Sequence, residues 1–122
     1  MSEFDEEVRE RWGATDTYLQ SQNRTSKYSH VDFEAAKVDQ EGVTEGFAMA
    51  FGNGVGIRSA PVQQLVAAHR EAISKWFYDC SPEMQKNLAQ MYVADERFKA
   101  YYDSRARGLA QYVHDAIMVQ DR

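Results

Sequence analysis

At 122 residues, with 43% hydrophobic and 27% charged side chains, the chain is long enough to bury one core, and its apolar runs are too short to span a membrane. Its net charge of −5 argues against nucleic acid as a direct partner, because phosphate binding needs a basic face. A single cysteine, Cys80, excludes an internal disulfide and a CxxC-type metal site and fits a reducing cytoplasm, while the acidic start "MSEFDEEVRE" lacks the apolar stretch of a signal peptide.

The two halves differ. Residues 1–56 hold 11 acids, 5 bases and six of the seven glycines, whereas residues 57–122 hold 8 acids and 9 bases. The periodicity is helical throughout. "EEVRERW" predicts a short helix ending at Gly13, and Thr15 is placed to cap a second weak helix over "DTYLQSQNR". Ser29 and Asp32 form a capping-box pattern ahead of a helix reaching about Phe51. That helix has a sparse apolar face (Phe33, Ala36, Val43, Phe47, Ala50, Phe51) and two interior glycines, Gly42 and Gly46, each costing about 1 kcal/mol relative to alanine. "GNGVG" at 52–56 then breaks the chain and reads as a hinge.

Beyond it the pattern sharpens. Ser59 and Pro61 open a helix with Val62, Leu65, Val66, His69, Ile73, Trp76 and Phe77 on one face. Tyr78, Asp79 and Cys80 form a tight joint. Ser81 and Pro82 start the next helix, expected to bury Met84, Leu88, Met91 and Tyr92. Asp95 caps a short helix, "ERFKAYYDS". The last helix begins near Arg107, with Leu109, Tyr112, Val113, Ala116 and Ile117 as its stripe.

Three features carry chemistry. Cys80 reads as a small buried residue at a helix junction or, because it lies just ahead of a helix N-terminus, as a thiol of lowered pKa serving as nucleophile or redox switch. His69, inside an apolar stripe, reads as a hydrogen-bonded core histidine or a residue of a ligand cleft; His30, His69 and His114 show no metal-binding spacing. Fifteen aromatic residues and five methionines suit an irregular apolar ligand. No carboxylate pair, metal cluster or phosphate loop argues for an enzyme, and no cofactor is expected.

The blocks "HREAISKWFYDCSPEMQKNLAQMYVADERF" and "GLAQYVHDAI", across residues 69–117, closely resemble the TipAS domain, the antibiotic-recognition half of TipA-type MerR-family regulators. The resemblance extends more loosely to "VRERWGATDTYLQS". It implies an all-α, globin-like helical bundle without haem that binds bulky cyclic thiopeptide antibiotics of the thiostrepton class, either as a drug-sequestering protein or as the sensing domain of an activator. It also implies that residues 1–56 are a lid, loosely ordered when empty and folding over the ligand against a stable bundle of residues 57–122. A DNA-binding MerR domain would belong to a longer parent; none is in this chain.

Ligand contacts are expected from Phe33, Phe47 and Phe51 of the lid and from His69, Trp76, Met84, Asn87, Met91 and Tyr112 of the bundle. As a lid residue, Phe47 should be replaceable by Ala with little change in melting. Thiopeptides carry dehydroalanine, to which a thiolate can add to form a thioether, so Cys80 is a candidate for covalent capture. The family's type member carries a further cysteine at the position of Asn87. The alternative function is a redox-responsive regulatory domain acting through Cys80.

Overall fold

The computed structural model describes residues 16–120; the helix expected over "EEVRERW" and the Thr15 cap lie outside them. The described residues form six α-helices and no strand: α1 (Asp16–Thr25), α2 (His30–Gly52), α3 (Ala60–Trp76), α4 (Pro82–Ala94), α5 (Glu96–Asp103) and α6 (Leu109–Met118).

Local chemistry sets most boundaries. Ser29 accepts from the Asp32 backbone N–H while the Asp32 carboxylate accepts from the Ser29 N–H, so both arms of the α2 capping box are closed. Ser81 caps α4 through the Met84 N–H, and Asp95 caps α5 through the Arg97 N–H. Ser59 occupies the N-cap position of α3 without accepting a bond from the helix; its hydroxyl donates back to the Gly56 carbonyl at 2.7 Å. Gly108, with φ of 91°, precedes α6 and has no side chain to cap it. Asp103 supplies the missing acceptor, taking the Ala110 N–H at 2.9 Å.

Helix α6 is the hub, packed against α2, α3, α4 and α5. Its Leu109, Ala110, Val113, Ala116 and Ile117 are fully buried and join Phe47, Val62, Val66, Ala89, Tyr92 and Tyr102 in one core. α2 runs beside α3, and Gly46 permits the approach: a Cβ there would stand 2.5 Å from Leu65 Cδ2. Gly42 has no such neighbour within 4 Å, so its helix cost has no packing return.

Three expectations change. The inner face of α4 is Gln85, Ala89 and Tyr92, with Met84, Leu88 and Met91 only half-buried; the helix is turned by about one residue because small Ala89 faces the core while Gln85 enters a polar network. The 52–56 segment is docked rather than free. Val55 N–H returns to the Ala50 carbonyl, and its own carbonyl accepts from the Tyr112 hydroxyl at 2.6 Å. Phe47 is 0% exposed, so it is a core residue and the expectation of a harmless Phe47→Ala change does not hold. That substitution should cost about 3–5 kcal/mol, the range for truncating a buried phenylalanine, read as a lowered urea midpoint in ligand-free protein.

Candidate functional site

A cleft of about 60 Å³ opens between α2 and α3. Ala36, Gln40 and Val43 form one wall; His69, Ala72, Ile73, Trp76 and Phe77 form the other. Small Ala36 and Ala72 on facing helices leave the space.

The polar atoms of this lining are mostly engaged. The Trp76 indole N–H donates to Asp39 at 2.7 Å, and Lys75 lies 3.7 Å from the same carboxylate. His69 is 7% exposed; its Nε2 is 3.0 Å from the Tyr92 hydroxyl and its Nδ1 2.8 Å from the Gln85 amide. Burial, then the neighbouring Arg70 charge, holds its pKa down at about 4. Of the side chains lining the cleft, Gln40 is the polar one without a partner of this kind.

α1 and the turn after it pack on the end of α3 that carries Trp76, one of the lining residues. Arg24 donates to the Ser74 carbonyl and pairs with Asp79 at 2.8 Å. The Tyr28 hydroxyl donates to the Trp76 carbonyl. These are last-turn carbonyls of α3, which lack intrahelical donors, so the N-terminal segment completes the end of a helix distant in sequence. Tyr28 also meets Trp76 and Phe33 edge-on, with centroids 5.7 and 5.6 Å apart. The Arg24 bond and charge keep exposed Asp79 below the usual carboxylate range.

Of the residues anticipated from sequence, the cleft brings together His69 and Trp76; Phe33 does not line it and is linked to Trp76 only through the Tyr28 ring. Phe47 lies in the core. Phe51 and Tyr112 pack on each other at 4.9 Å beside the 52–56 turn. Met84 and Met91 are half-buried along α4 and Asn87 is exposed; none lines the cleft. Ala36, Gln40, Val43, Ala72, Ile73 and Phe77 line it, and sequence reasoning did not select them as contacts. The pairing of an alanine on α2 with one on α3 has no local signal.

Cys80 also departs from the reactive reading. It is 7% exposed, its Sγ contacts the Ser81 carbonyl at 3.7 Å, and burial pushes its pKa up to about 11. Burial raises the pKa of this thiol more than the neighbouring Arg70 charge lowers it, which disfavours the thiolate.

The sequence from residue 4 to residue 120 matches the model of the TipAS antibiotic-recognition domain. The chain belongs to the TipAS family. It is 38% identical over 116 residues to the HTH-type transcriptional activator TipA of Streptomyces coelicolor and of Streptomyces lividans, covering 95% of this chain and 46% of each relative. The HTH-type transcriptional activator mta of Bacillus subtilis is 28% identical over the same length, with 44% of that protein covered. The chain thus spans about half the length of these relatives. A solved structure of TipAS from Streptomyces lividans in complex with nosiheptide, described as part of a thiopeptide antibiotic multidrug resistance system, superposes with a TM-score of 0.87. It is 38% identical and covers 94% of this chain and 80% of that one. The fold is the globin-like, all-helical one of TipAS.

Two measurements follow from this geometry. Cys80 should be silent to a thiol-reactive chromogenic reagent in native protein and react fully in denaturant. Because the folded pKa of His69 lies below its unfolded value of 6.5, the unfolded chain takes up the proton first as pH falls. The stability that neutral His69 contributes is therefore complete above about pH 6.5 and lost progressively toward pH 4, by about 3 kcal/mol. Urea unfolding from pH 7 to 4 should show that component in the wild type and not in a His69→Gln chain.

Proposed function

We propose that this chain binds thiopeptide antibiotics in the α2–α3 cleft, as a drug-sequestering protein or as the effector-sensing part of a transcriptional activator. The observation that carries this reading is an apolar cleft, walled by α2 and α3, in a TipAS-family fold whose solved neighbour holds nosiheptide. Its two partly opened aromatic rings, Trp76 and Phe77, and its small facing alanines suit a flat, bulky, largely apolar compound.

At about 60 Å³ the cleft is well below the several hundred Å³ that a drug-sized ligand needs. Entry therefore requires α1 and the first half of α2 to move. That segment is suited to moving. α1 and the turn after it are fastened to the bundle by Arg24, Gln20 and Tyr28 contacts, several of them exposed, and Leu19, Val31, Phe33 and Val38 remain exposed. The second half of α2 is anchored by Phe47, so we place the end of the lid near Gly42 rather than at residue 56. Phe33 and Trp76, of the contacts expected from sequence, are retained as ligand contacts, with His69 as cleft wall.

A binding module is favoured over an enzyme because the lining offers no nucleophile–base pair, and the described residues hold no group of three metal-ligating side chains. No helix among them is long and apolar enough to cross a membrane, and we place the protein in the cytoplasm, where a DNA-binding segment in a longer parent would put it next to its regulated promoter. The buried, neutral Cys80 disfavours both the redox alternative and covalent capture.

Nosiheptide titrated into the chain by calorimetry should give a saturable one-to-one isotherm. Ala72→Leu, which narrows the cleft without entering the core cluster, should weaken it at least tenfold while preserving the melting temperature. An absence of saturable heat with the wild type counts against the reading.

A further inference from the structure

Behind the cleft wall, α3, α4 and Gln120 share a buried polar network whose effect on the cleft goes beyond holding these segments together. Gln85 is 0% exposed and Gln120 8%. The Gln85 Oε1 faces two donors, Arg70 Nη1 at 3.1 Å and Gln120 Nε2 at 2.9 Å. Its Nε2 faces the Val66 carbonyl at 2.8 Å. That surround fixes the amide orientation, because a flipped amide would set N–H groups against N–H groups and oxygen against oxygen. The second hydrogen of Nε2 then points to His69 Nδ1 at 2.8 Å. A nitrogen that accepts this bond carries no proton, so the ring proton sits on Nε2 and is donated to the Tyr92 hydroxyl at 3.0 Å.

We propose that Gln85 is a positioning residue of the ligand cleft: it fixes the tautomer of His69, so that this wall presents ring carbon and no free N–H to the ligand. The proposal rests on the reading of the α2–α3 cleft as the ligand site. It makes the site selective for a neutral, flat, apolar ring, with Gln40 as the one side chain of the lining left to exchange a hydrogen bond. A cation or a strong acceptor would meet no counterpart on the α3 side. The titratable and charged groups facing the imidazole are Arg70 on α3 and Tyr92 on α4, and Tyr92 in turn neighbours Tyr102 of α5 and Tyr78 and Cys80 of the α3–α4 joint. Burial raises the pKa of each tyrosine and of the thiol, so Arg70 is the charge among them at neutral pH.

The experiment is long-range ¹H–¹⁵N NMR of the histidine rings in ligand-free protein, paired with nosiheptide calorimetry from pH 6 to 8.5. In the wild type the His69 ring should show the Nε2–H tautomer and no titration between pH 5 and 8. In Gln85→Glu, a carboxylate replaces the donor at Nδ1, so His69 should take a second proton near neutral pH. Nosiheptide binding by that variant should be at least tenfold weaker than wild type at pH 6 and recover toward pH 8.5. Gln85→Met, of similar shape and without charge, keeps the test available should the glutamate chain fail to fold; its His69 ring should lose the single-tautomer signature. A wild-type Nδ1–H tautomer or ordinary His69 titration overturns the assignment. So does a variant that melts lower while its ring state and the pH dependence of its affinity stay as in the wild type, the mark of a structural role alone. Failure of wild-type protein to bind nosiheptide overturns the ligand reading by itself, because the ring signatures are taken without ligand.

Discussion

The hydrogen bond between the Gln85 amide and the His69 imidazole joins groups that have little or no access to water, and each would be costly to bury alone. Their mutual satisfaction lets α3 and α4 close at that level, and Tyr92, Arg70 and Gln120 extend it to the end of the chain. The cleft inherits its character from this arrangement. A histidine with both nitrogens occupied is, on its open side, an apolar wall of defined orientation. An aliphatic residue there would give a wall as well, without tying three segments together in one register.

A second constraint lies at the other end of α3. A helix end leaves carbonyls without donors, and here Arg24 and Tyr28, from α1 and the turn that follows it, supply them. The N-terminal segment thus completes the hydrogen bonding of the helix it packs against. These contacts are part-buried, and neither Arg24 nor Tyr28 belongs to the core cluster, so they hold the segment in place without making it part of the core. α2 bridges the two regimes. Its first half exposes Val31 and Val38, whereas Phe47 in its second half is sealed among α3 and α6 side chains. The two interior glycines divide the same way: Gly46 lets the helices approach, and Gly42 has no packing partner.

Cys80 shows how the same local sequence supports opposite chemistry. Ahead of a helix N-terminus, a thiol feels positive potential; inside apolar packing, its charged form is disfavoured. Burial is the stronger effect here, and it is set by how the helices close around the joint, which no count of neighbours along the chain reveals. Phe47 carries a similar lesson. Its place on a sparse stripe in the glycine-rich half suggested a lid residue, but a sparse stripe states only that few residues are buried, not that those few are buried shallowly.

What the sequence by itself determined is everything whose cause lies within about four residues. The Ser29–Asp32 box, the Ser81–Pro82 start, the Asp95 cap, the α6 stripe and the break at 52–56 are all local hydrogen-bonding and periodicity effects, and the long "WFYDCSPEM" and "MYVADERF" blocks carried the family. The tertiary structure alone decided the depth of Phe47, the rotation of α4 toward Gln85, the neutral thiol, and the cleft between Ala36 and Ala72. Each depends on which helix faces which. A glutamine on a helix reads as solvent-facing until another helix brings a histidine to its amide, and a void between two alanines exists only once their helices are side by side.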